Sequence, residues 1–147
     1  MDADFSHNPD DIDRFLAKIQ ENYDFVIGSR YIKGGSIPDN WNLFRKANSF
    51  FGNIFARYIA DVRSVKDCTS GFRAIKIELL KKIDFNHFNA NGYYFQLKLL
   101  FVANQKGAKI KEIPINFIDR AKGKSKLGLN DIIEFIINSI KLRFTES

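Results

Sequence analysis

Asp24-Phe25-Val26-Ile27-Gly28-Ser29 is the stretch that decides the fold, because it is a short apolar run that ends at a turn residue. Such a run predicts a buried strand. Just upstream, Asn8-Pro9 predicts the N-cap and first position of a helix that reaches about Asn22. The apolar stripe of that helix consists of Ile12, Phe15, Leu16 and Ile19. A helix followed directly by a buried strand predicts the α/β class.

The remainder of the chain continues to alternate between helical and strand patterns. A loop over 31–40 contains two glycines and a proline, which favour turns. The elements predicted after it are helix 41–60, strand 71–75, helix 78–83, helix 93–105, strand 109–119, basic loop 121–128 and amphipathic helix 130–145. Pro114 indicates an edge position or a bend in the last strand. No repeat or linker interrupts the pattern, so 1–147 is predicted to be one domain.

Composition limits the partners and the location of the protein. The 147 residues are 45% hydrophobic and 27% charged, which is typical of a globular protein. A net charge of +6 favours anionic partners such as phosphorylated substrates, a phospholipid surface or nucleic acid. Cys68 is the only cysteine, which indicates a reducing, cytoplasmic location. The acidic N-terminus argues against a signal peptide, and no apolar stretch reaches the roughly 18 residues of a membrane span.

Two helices carry apolar positions that allow two interpretations. In the terminal helix one stripe consists of Leu129, Ile132, Ile133, Ile136, Ile137, Ile140 and Phe144. It predicts either packing on the domain itself or a helix lying in a membrane interface. In the helix over 41–60, Phe44, Phe50, Phe51 and Phe55 are explained equally by core packing and by contact with a lipid chain.

Two groups of residues have the chemistry of an anion-binding or metal-binding site. Asp2-Ala3-Asp4 places two carboxylates within reach of one hard cation, and Mg²⁺ or Mn²⁺ accepts such oxygen ligands beside phosphate. This spacing is weak evidence by itself, because it is common by chance. The second group is basic and lies in predicted loops or at element ends: Arg30, Arg45, Arg73, Arg120, Lys122, Lys124 and Lys126. Guanidinium groups bind phosphate bidentately, and Arg30 and Arg120 directly follow predicted strands, where α/β proteins place ligands.

Five segments, in order along the chain, carry a resemblance to one family. They are MDADFSHNP (1–9), DFVIGSRY (24–31), DCTSGFR (67–73), GYYFQ (92–96) and the region 113–128 with IPINFIDR and GKSKLG. The sequence resembles the polyprenyl-phosphate mannose synthases, which are family 2 glycosyltransferases of the GT-A fold. Each segment is moderate evidence, and their shared order is stronger than any one of them.

The resemblance implies a fold and a site. The fold would be an incomplete, Rossmann-like GT-A domain without its N-terminal nucleotide-binding strands. Asp2 and Asp4 would hold Mg²⁺ or Mn²⁺ against the diphosphate of GDP-mannose, with Ser6 as a weaker ligand. The residues implied in binding donor and acceptor phosphates are Arg30, Arg45, Arg120 and Lys126, and Ser125 is implied in binding substrate. Those implied in shaping the sugar pocket are Asp67, Gly71, Arg73 and Gln96.

Two departures from the family pattern bear on activity. Lys98 stands where relatives usually have Glu, which reverses a charge near the implied sugar pocket or the residues supporting it. The family segments that hold the base and ribose, P-x-Y-N-E and D-D-x-S-x-D, have no counterpart in the sequence. We therefore expect the isolated chain to turn over GDP-mannose poorly.

The resemblance also implies partners, and alternatives stay open beside it. The acceptor would be a dolichyl or polyprenyl phosphate, met at the cytosolic face of a membrane that the protein binds peripherally, with or without a separate membrane anchor subunit. One alternative is a related transferase for glucose or another sugar. Another is a non-catalytic, basic membrane-binding or RNA-binding protein, although no RNA-recognition aromatic motif is present, so no nucleic acid partner is expected.

Overall fold

The structure, a computed structural model, describes residue 1 and residues 6–86, 88–118 and 129–145. A single 3₁₀ turn, Pro9–Asp11, precedes the regular elements. The helices are α1 (Ile12–Gln20), α2 (Leu43–Ile59), α3 (Ile77–Leu80), α4 (Gly92–Gln105) and α5 (Leu129–Thr145). The strands are β1 (Phe25–Ser29), β2 (Arg73–Ile75) and β3 (Ile110–Pro114). The predicted α/β class is confirmed.

The sheet formed by the described residues is small and mixed, with the strand order β2-β1-β3. β1 is antiparallel to β2 and parallel to β3, so that Val26 lies between Ala74 and Lys111. β3 is an edge strand of this sheet, which is one of the two possibilities that Pro114 indicated. The predicted extent of this strand, 109–119, was too long: β3 ends at Pro114, and beyond it Asn116 forms only an isolated bridge with Ser36.

The apolar core lies on both faces of β1, because successive side chains of a strand point to opposite sides. Phe25 and Ile27 pack in a large cluster with buried residues of α2, α4 and α5. Val26 packs on the other face, with Phe15 of α1 and Phe72. β1 is therefore covered on both faces by helices, and all five of its residues are buried.

Asparagine side chains cap the first turns of two segments. Asn8 Oδ1 accepts a hydrogen bond of 3.1 Å from Asp10 N, as the sequence predicted for this residue. Asn42 Oδ1 likewise accepts one of 2.8 Å from Arg45 N at the start of α2. Each side chain satisfies a backbone donor that has no partner within the helix.

In α2 and α5, the structure decides against core packing for most of the apolar positions that allowed two interpretations. In α2, Phe44, Phe50 and Phe51 are exposed, and the exposed fraction of Phe51 is 65%. Asn53 is buried, with an exposed fraction of 3%. Core packing was therefore the wrong explanation for these three phenylalanines; Phe55 is half-buried and contacts the ring of Phe135.

The same holds for α5. This helix packs on α2 and α4, and it buries Ser139 and Leu142 there. Most of its predicted apolar stripe is exposed: Ile133, Ile136, Ile137, Ile140 and Phe144, the last at 82%. Packing of this stripe on the domain was therefore a wrong interpretation. In the described ranges, no helix combines the length and the apolar character needed to cross a bilayer.

Candidate functional site

Arg30 and Asp67 form a buried ion pair at the carboxyl end of β1. Arg30 Nε donates to Asp67 Oδ2 and Nη2 donates to Oδ1, both at 2.7 Å. The backbone N–H of Arg30 donates to the same carboxylate at 3.0 Å. The side chains are only 8% and 0% exposed. Arg30 was predicted to bind phosphate and Asp67 to shape a sugar pocket, and the structure brings the two into one bidentate pair.

The environment of Arg30 favours its charged form. Burial alone lowers the pKa of the guanidinium, but the Asp67 carboxylate more than offsets this, so the pKa lies above its ordinary value. Nη2 also donates to Thr69 Oγ1 at 2.9 Å. Among the hydrogen bonds of the described residues, none uses Nη1. The guanidinium therefore keeps one nitrogen for a further acceptor.

Aromatic rings connect Arg30 with Arg45, the other described arginine predicted to bind phosphate. The Arg30 guanidinium carbon lies 5.5 Å from the centroid of the Phe117 ring. Phe117 contacts the ring of Trp41 edge-on, with the centroids 5.9 Å apart. The Arg45 guanidinium lies over the Trp41 ring, 3.9 Å from its centroid. Stacking on aromatic rings suits the planar guanidinium of arginine.

Arg73 binds backbone carbonyls in the structure. Its Nε, Nη1 and Nη2 donate to Ser70 O at 2.8 Å, Gln96 O at 2.6 Å and Cys68 O at 2.7 Å. Burial lowers the pKa of this guanidinium to about 10. Arg73 therefore ties the loop 68–70 to α4. Gln96 takes part through its carbonyl, and Gly71 lies half-buried within the same turn.

The loop that carries Asp67 is held by two side chains that the sequence analysis missed. Glu112, on β3, accepts hydrogen bonds of 2.9 Å from both Lys66 N and Asp67 N. Asn53, on α2, accepts from Cys68 N at 2.8 Å and from Thr69 N at 3.2 Å. The sequence marked them only weakly: Glu112 is a carboxylate within the apolar alternation of β3, and Asn53 is an amide in the middle of α2.

Several predicted site residues lie outside the described part of the chain: Asp2, Asp4, Arg120, Ser125 and Lys126. Ser6 and Ile118, each two residues from Asp4 and Arg120 respectively in sequence, are adjacent in space, because Ile118 N donates to Ser6 O at 3.1 Å. Ser6, predicted as a weaker metal ligand, is fully buried. Within the described ranges, no group of three or more His, Cys, Asp or Glu side chains is arranged to hold a metal ion.

Lys98, the residue that departs from the family pattern, is buried in α4. Its Nζ lies 5.1 Å from the centroid of the Phe88 ring. Its neighbours Leu97 and Leu99 belong to the large apolar cluster. The effect of this lysine on the choice of sugar remains a prediction.

Comparison with known proteins shows similarity to one family and to two of its curated relatives. Residues 1–84 match the family described as glycosyl transferase family 2. The chain is 38% identical over 134 residues to the polyprenol monophosphomannose synthase of Mycolicibacterium smegmatis, covering 91% of this chain and 50% of that protein. It is 36% identical over 138 residues to the undecaprenyl-phosphate mannosyltransferase of Micrococcus luteus, covering 94% and 56%. The chain thus spans about half the length of these curated relatives.

Proposed function

This chain belongs to glycosyl transferase family 2, and we propose that it takes part in the transfer of mannose from GDP-mannose to a polyprenyl or dolichyl phosphate. The observation that carries the proposal is the likeness, over more than nine-tenths of the chain, to two proteins named for mannosyl transfer to polyprenol carriers. The α/β fold and the basic net charge of +6 agree with an enzyme that binds two phosphorylated substrates.

The proposed reaction is one displacement at the anomeric carbon of the sugar. An oxygen of the acceptor phosphate forms the new bond to this carbon, and the bond to the donor diphosphate breaks with its electron pair leaving on GDP. Single displacement inverts the configuration, so an α-linked donor gives a β-linked lipid phosphate. The phosphate nucleophile is already ionised at neutral pH and needs no general base. The protein therefore has to bring two anions together and stabilise the leaving charge.

Basic side chains would provide that positioning. We assign to Arg30 the contact with a substrate phosphate through Nη1, since Nε and Nη2 are bound to Asp67. Asp67 neutralises part of the arginine charge and fixes the plane of the guanidinium. Arg45, which is stacked on Trp41, supplies a second cation near Phe117. Arg120, Ser125 and Lys126 complete the proposed phosphate contacts.

A divalent cation, Mg²⁺ or Mn²⁺, is part of the proposal. Asp2 and Asp4 would hold it, with Ser6 as a weaker ligand. A cation bound there would supply a Lewis acid that neutralises the diphosphate leaving group. The oxygen donor set of this segment fits a hard cation, because carboxylate and hydroxyl oxygens are the ligands that Mg²⁺ and Mn²⁺ prefer.

We place the protein peripherally on the cytosolic face of a membrane. The exposed apolar side chains of α2 and α5 support this, because each would be stabilised by roughly 1.5–3 kcal/mol if removed from water. The two helices contact each other, so their exposed side chains belong to neighbouring surfaces. Lys46, on α2, and Lys141 and Arg143, on α5, suit a surface with anionic headgroups.

The test offers several labelled donors to the purified chain in parallel. GDP-mannose, UDP-glucose and UDP-N-acetylglucosamine are each incubated with undecaprenyl phosphate in vesicles, with Mg²⁺, with Mn²⁺ or with a chelator. We expect slow, metal-dependent transfer of label from GDP-mannose into the organic phase. Transfer from another donor instead would identify a different sugar specificity. If no donor yields labelled lipid, the proposed activity of this chain is wrong.

A further inference from the structure

The four consecutive backbone N–H groups of residues 66–69 all donate to two side chains, those of Glu112 and Asn53. Glu112 accepts the first two through its two carboxylate oxygens. Asn53 accepts the next two through Oδ1. The two acceptors come from β3 and α2, on separate parts of the fold. The conformation of this loop is therefore imposed by two side chains that are distant from it in sequence.

The loop held in this way determines where Arg30 lies. Its side chains Asp67 and Thr69 accept every side-chain hydrogen bond that Arg30 donates within the described residues. Asn53 Nδ2 also donates to Thr69 Oγ1 at 3.2 Å, which fixes the hydroxyl that Arg30 uses. A shift of the loop backbone would move both partners of the guanidinium together.

We propose that Glu112 and Asn53 are positioning residues for glycosyl transfer, which hold Asp67 and Thr69 so that Arg30 presents Nη1 to a substrate phosphate. This inference rests on the proposed function for its role in the reaction. Neither residue touches the substrate in this scheme. Each acts through the loop 66–69.

The positioning role of Glu112 differs from a general contribution to stability, because other residues anchor the loop to the apolar core. Val65 and Cys68 are buried in the large cluster and anchor the loop to the core. Glu112 is only half-buried and belongs to neither apolar cluster. Replacing its carboxylate by an amide leaves the shape of the side chain but puts a donor opposite one loop N–H. The loop should then shift locally while the core stays intact.

The first test measures Arg30 directly, by NMR of the ¹⁵N-labelled full chain. The Arg30 Nε–H signal is identified by its loss in Arg30→Lys. In Glu112→Gln, and independently in Asn53→Leu, we expect its exchange with water to become about tenfold faster, as for the loss of one hydrogen bond. The backbone amide of Leu100, which is buried in α4, should keep its exchange rate.

Matched controls carry the same changes at uninvolved positions. Glu78→Gln alters an exposed carboxylate on α3, and Asn48→Leu alters an amide that lies before Asn53 on the same helix. Both should leave the Arg30 signal unchanged. The proposal is overturned if Arg30 exchange is unaltered in both test variants. It is equally overturned if Leu100 exchange accelerates by the same factor, since that would mean global destabilisation.

The second test concerns the reaction and uses GDP-mannose with undecaprenyl phosphate. We expect Glu112→Gln to lower kcat by about tenfold and to change the donor KM by less than about twofold, because a displaced Arg30 would stabilise the phosphate charge that develops in the transition state less well. An unchanged kcat, together with faster Arg30 exchange, would overturn the role in catalysis. If the wild-type chain transfers no sugar, the proposed function fails, and the NMR result still decides whether the two residues position Arg30.

Discussion

At the scale of single residues, the main determinant of the site is that Arg30 and Asp67 neutralise each other away from water. Moving either charge alone into the interior is costly. In the pair, the Asp67 carboxylate accepts three hydrogen bonds from Arg30, two from the guanidinium and one from the backbone N–H. The geometry makes the arginine rigid as well as charged. A rigid guanidinium loses little freedom when it binds a phosphate, which is why an ion pair suits a substrate-binding arginine.

Removing the Asp67 carboxylate should therefore destabilise the protein strongly. Asp67→Asn leaves a buried guanidinium without its counter-charge, and we expect a loss of about 3–5 kcal/mol in the free energy of unfolding, measured with urea. Replacing both residues, as in Arg30→Met with Asp67→Leu, should cost less than Asp67→Asn alone. The control is Glu21→Gln, which breaks the exposed pair with Lys18 and should cost about 0–1 kcal/mol. If Asp67→Asn and Glu21→Gln lowered the free energy of unfolding equally, the prediction would be contradicted.

Cys68 gives a pH dependence with a definite sign. Burial raises the pKa of its thiol from 9.0 to about 12. Between these values the unfolded chain releases the proton and the folded chain keeps it, so the free energy of unfolding falls as pH rises. The stabilising contribution is fully present below pH 9.0 and is lost as pH rises through about 12.

The measurement compares wild type with Cys68→Ala by urea unfolding at about pH 8 and about pH 10.5. The wild type should lose more stability over this interval than the variant, since alanine has no proton to release. A thiol reagent should also leave Cys68 unmodified in the folded protein and react with it after unfolding. If the stabilities of wild type and variant fall in parallel, the thiol is not protected as the structure indicates.

At the scale of elements, the sequence predicted which segments are helices and strands, but it did not decide which face two of the helices bury. Periodicity identified α2 and α5, because apolar residues recur at helical spacing in both. It left two interpretations open for the apolar faces, core packing or lipid contact, and the structure buries Asn53 of α2 and Ser139 of α5 while most of the apolar positions are exposed. A helical pattern defines two faces and does not say what lies against each.

The candidate site was predictable only in part, because local sequence patterns identify residues but not their tertiary contacts. Arg30, Asp67 and Arg73 stand in short motifs and were recognised as site residues, although their mutual pairing and backbone contacts were not. Asn53 and Glu112 stand in no motif, and Glu112 is separated from its loop partners by 46 and 45 residues. Their importance depends on the parallel pairing of β1 with β3 and on the position of α2. These are properties of the tertiary structure, which local spacing does not encode.

The exposed face of α2 leads to a prediction that separates lipid contact from core packing. Phe51 is 65% exposed, so Phe51→Asp should leave the far-ultraviolet circular dichroism and the urea midpoint nearly unchanged. It should reduce binding to phospholipid vesicles, measured by co-sedimentation, because an aspartate would enter the membrane interface. Ile77→Asp is the control, since Ile77 is 56% exposed on α3, outside the two helices. Unfolding of Phe51→Asp, or its normal binding to vesicles, would contradict the prediction.

At the scale of the whole molecule, the structure combines a basic net charge with apolar helix surfaces that its own core does not cover. The sheet is filled on both faces, by α1 on one side and by α2, α4 and α5 on the other. The exposed side chains of α2 and α5 therefore belong to helices on the side opposite α1. Electrostatic attraction and apolar burial should both contribute to binding at a membrane, and they differ in their response to salt.

Salt should weaken the approach to a membrane more than the retention on it. The net charge of +6 attracts anionic vesicles over a Debye length of about 10 Å at 0.1 M salt, and about 3 Å at 1 M. We expect the association rate with vesicles containing anionic lipid, followed by stopped-flow fluorescence of Trp41, to fall steeply between about 0.05 M and 0.5 M salt. The dissociation rate should change less, because apolar burial holds the bound state. Phe51→Asp should have the opposite profile, with faster dissociation and a nearly unchanged association rate. If salt and Phe51→Asp both acted on the same rate constant, charge and apolar surface would not make these separate contributions.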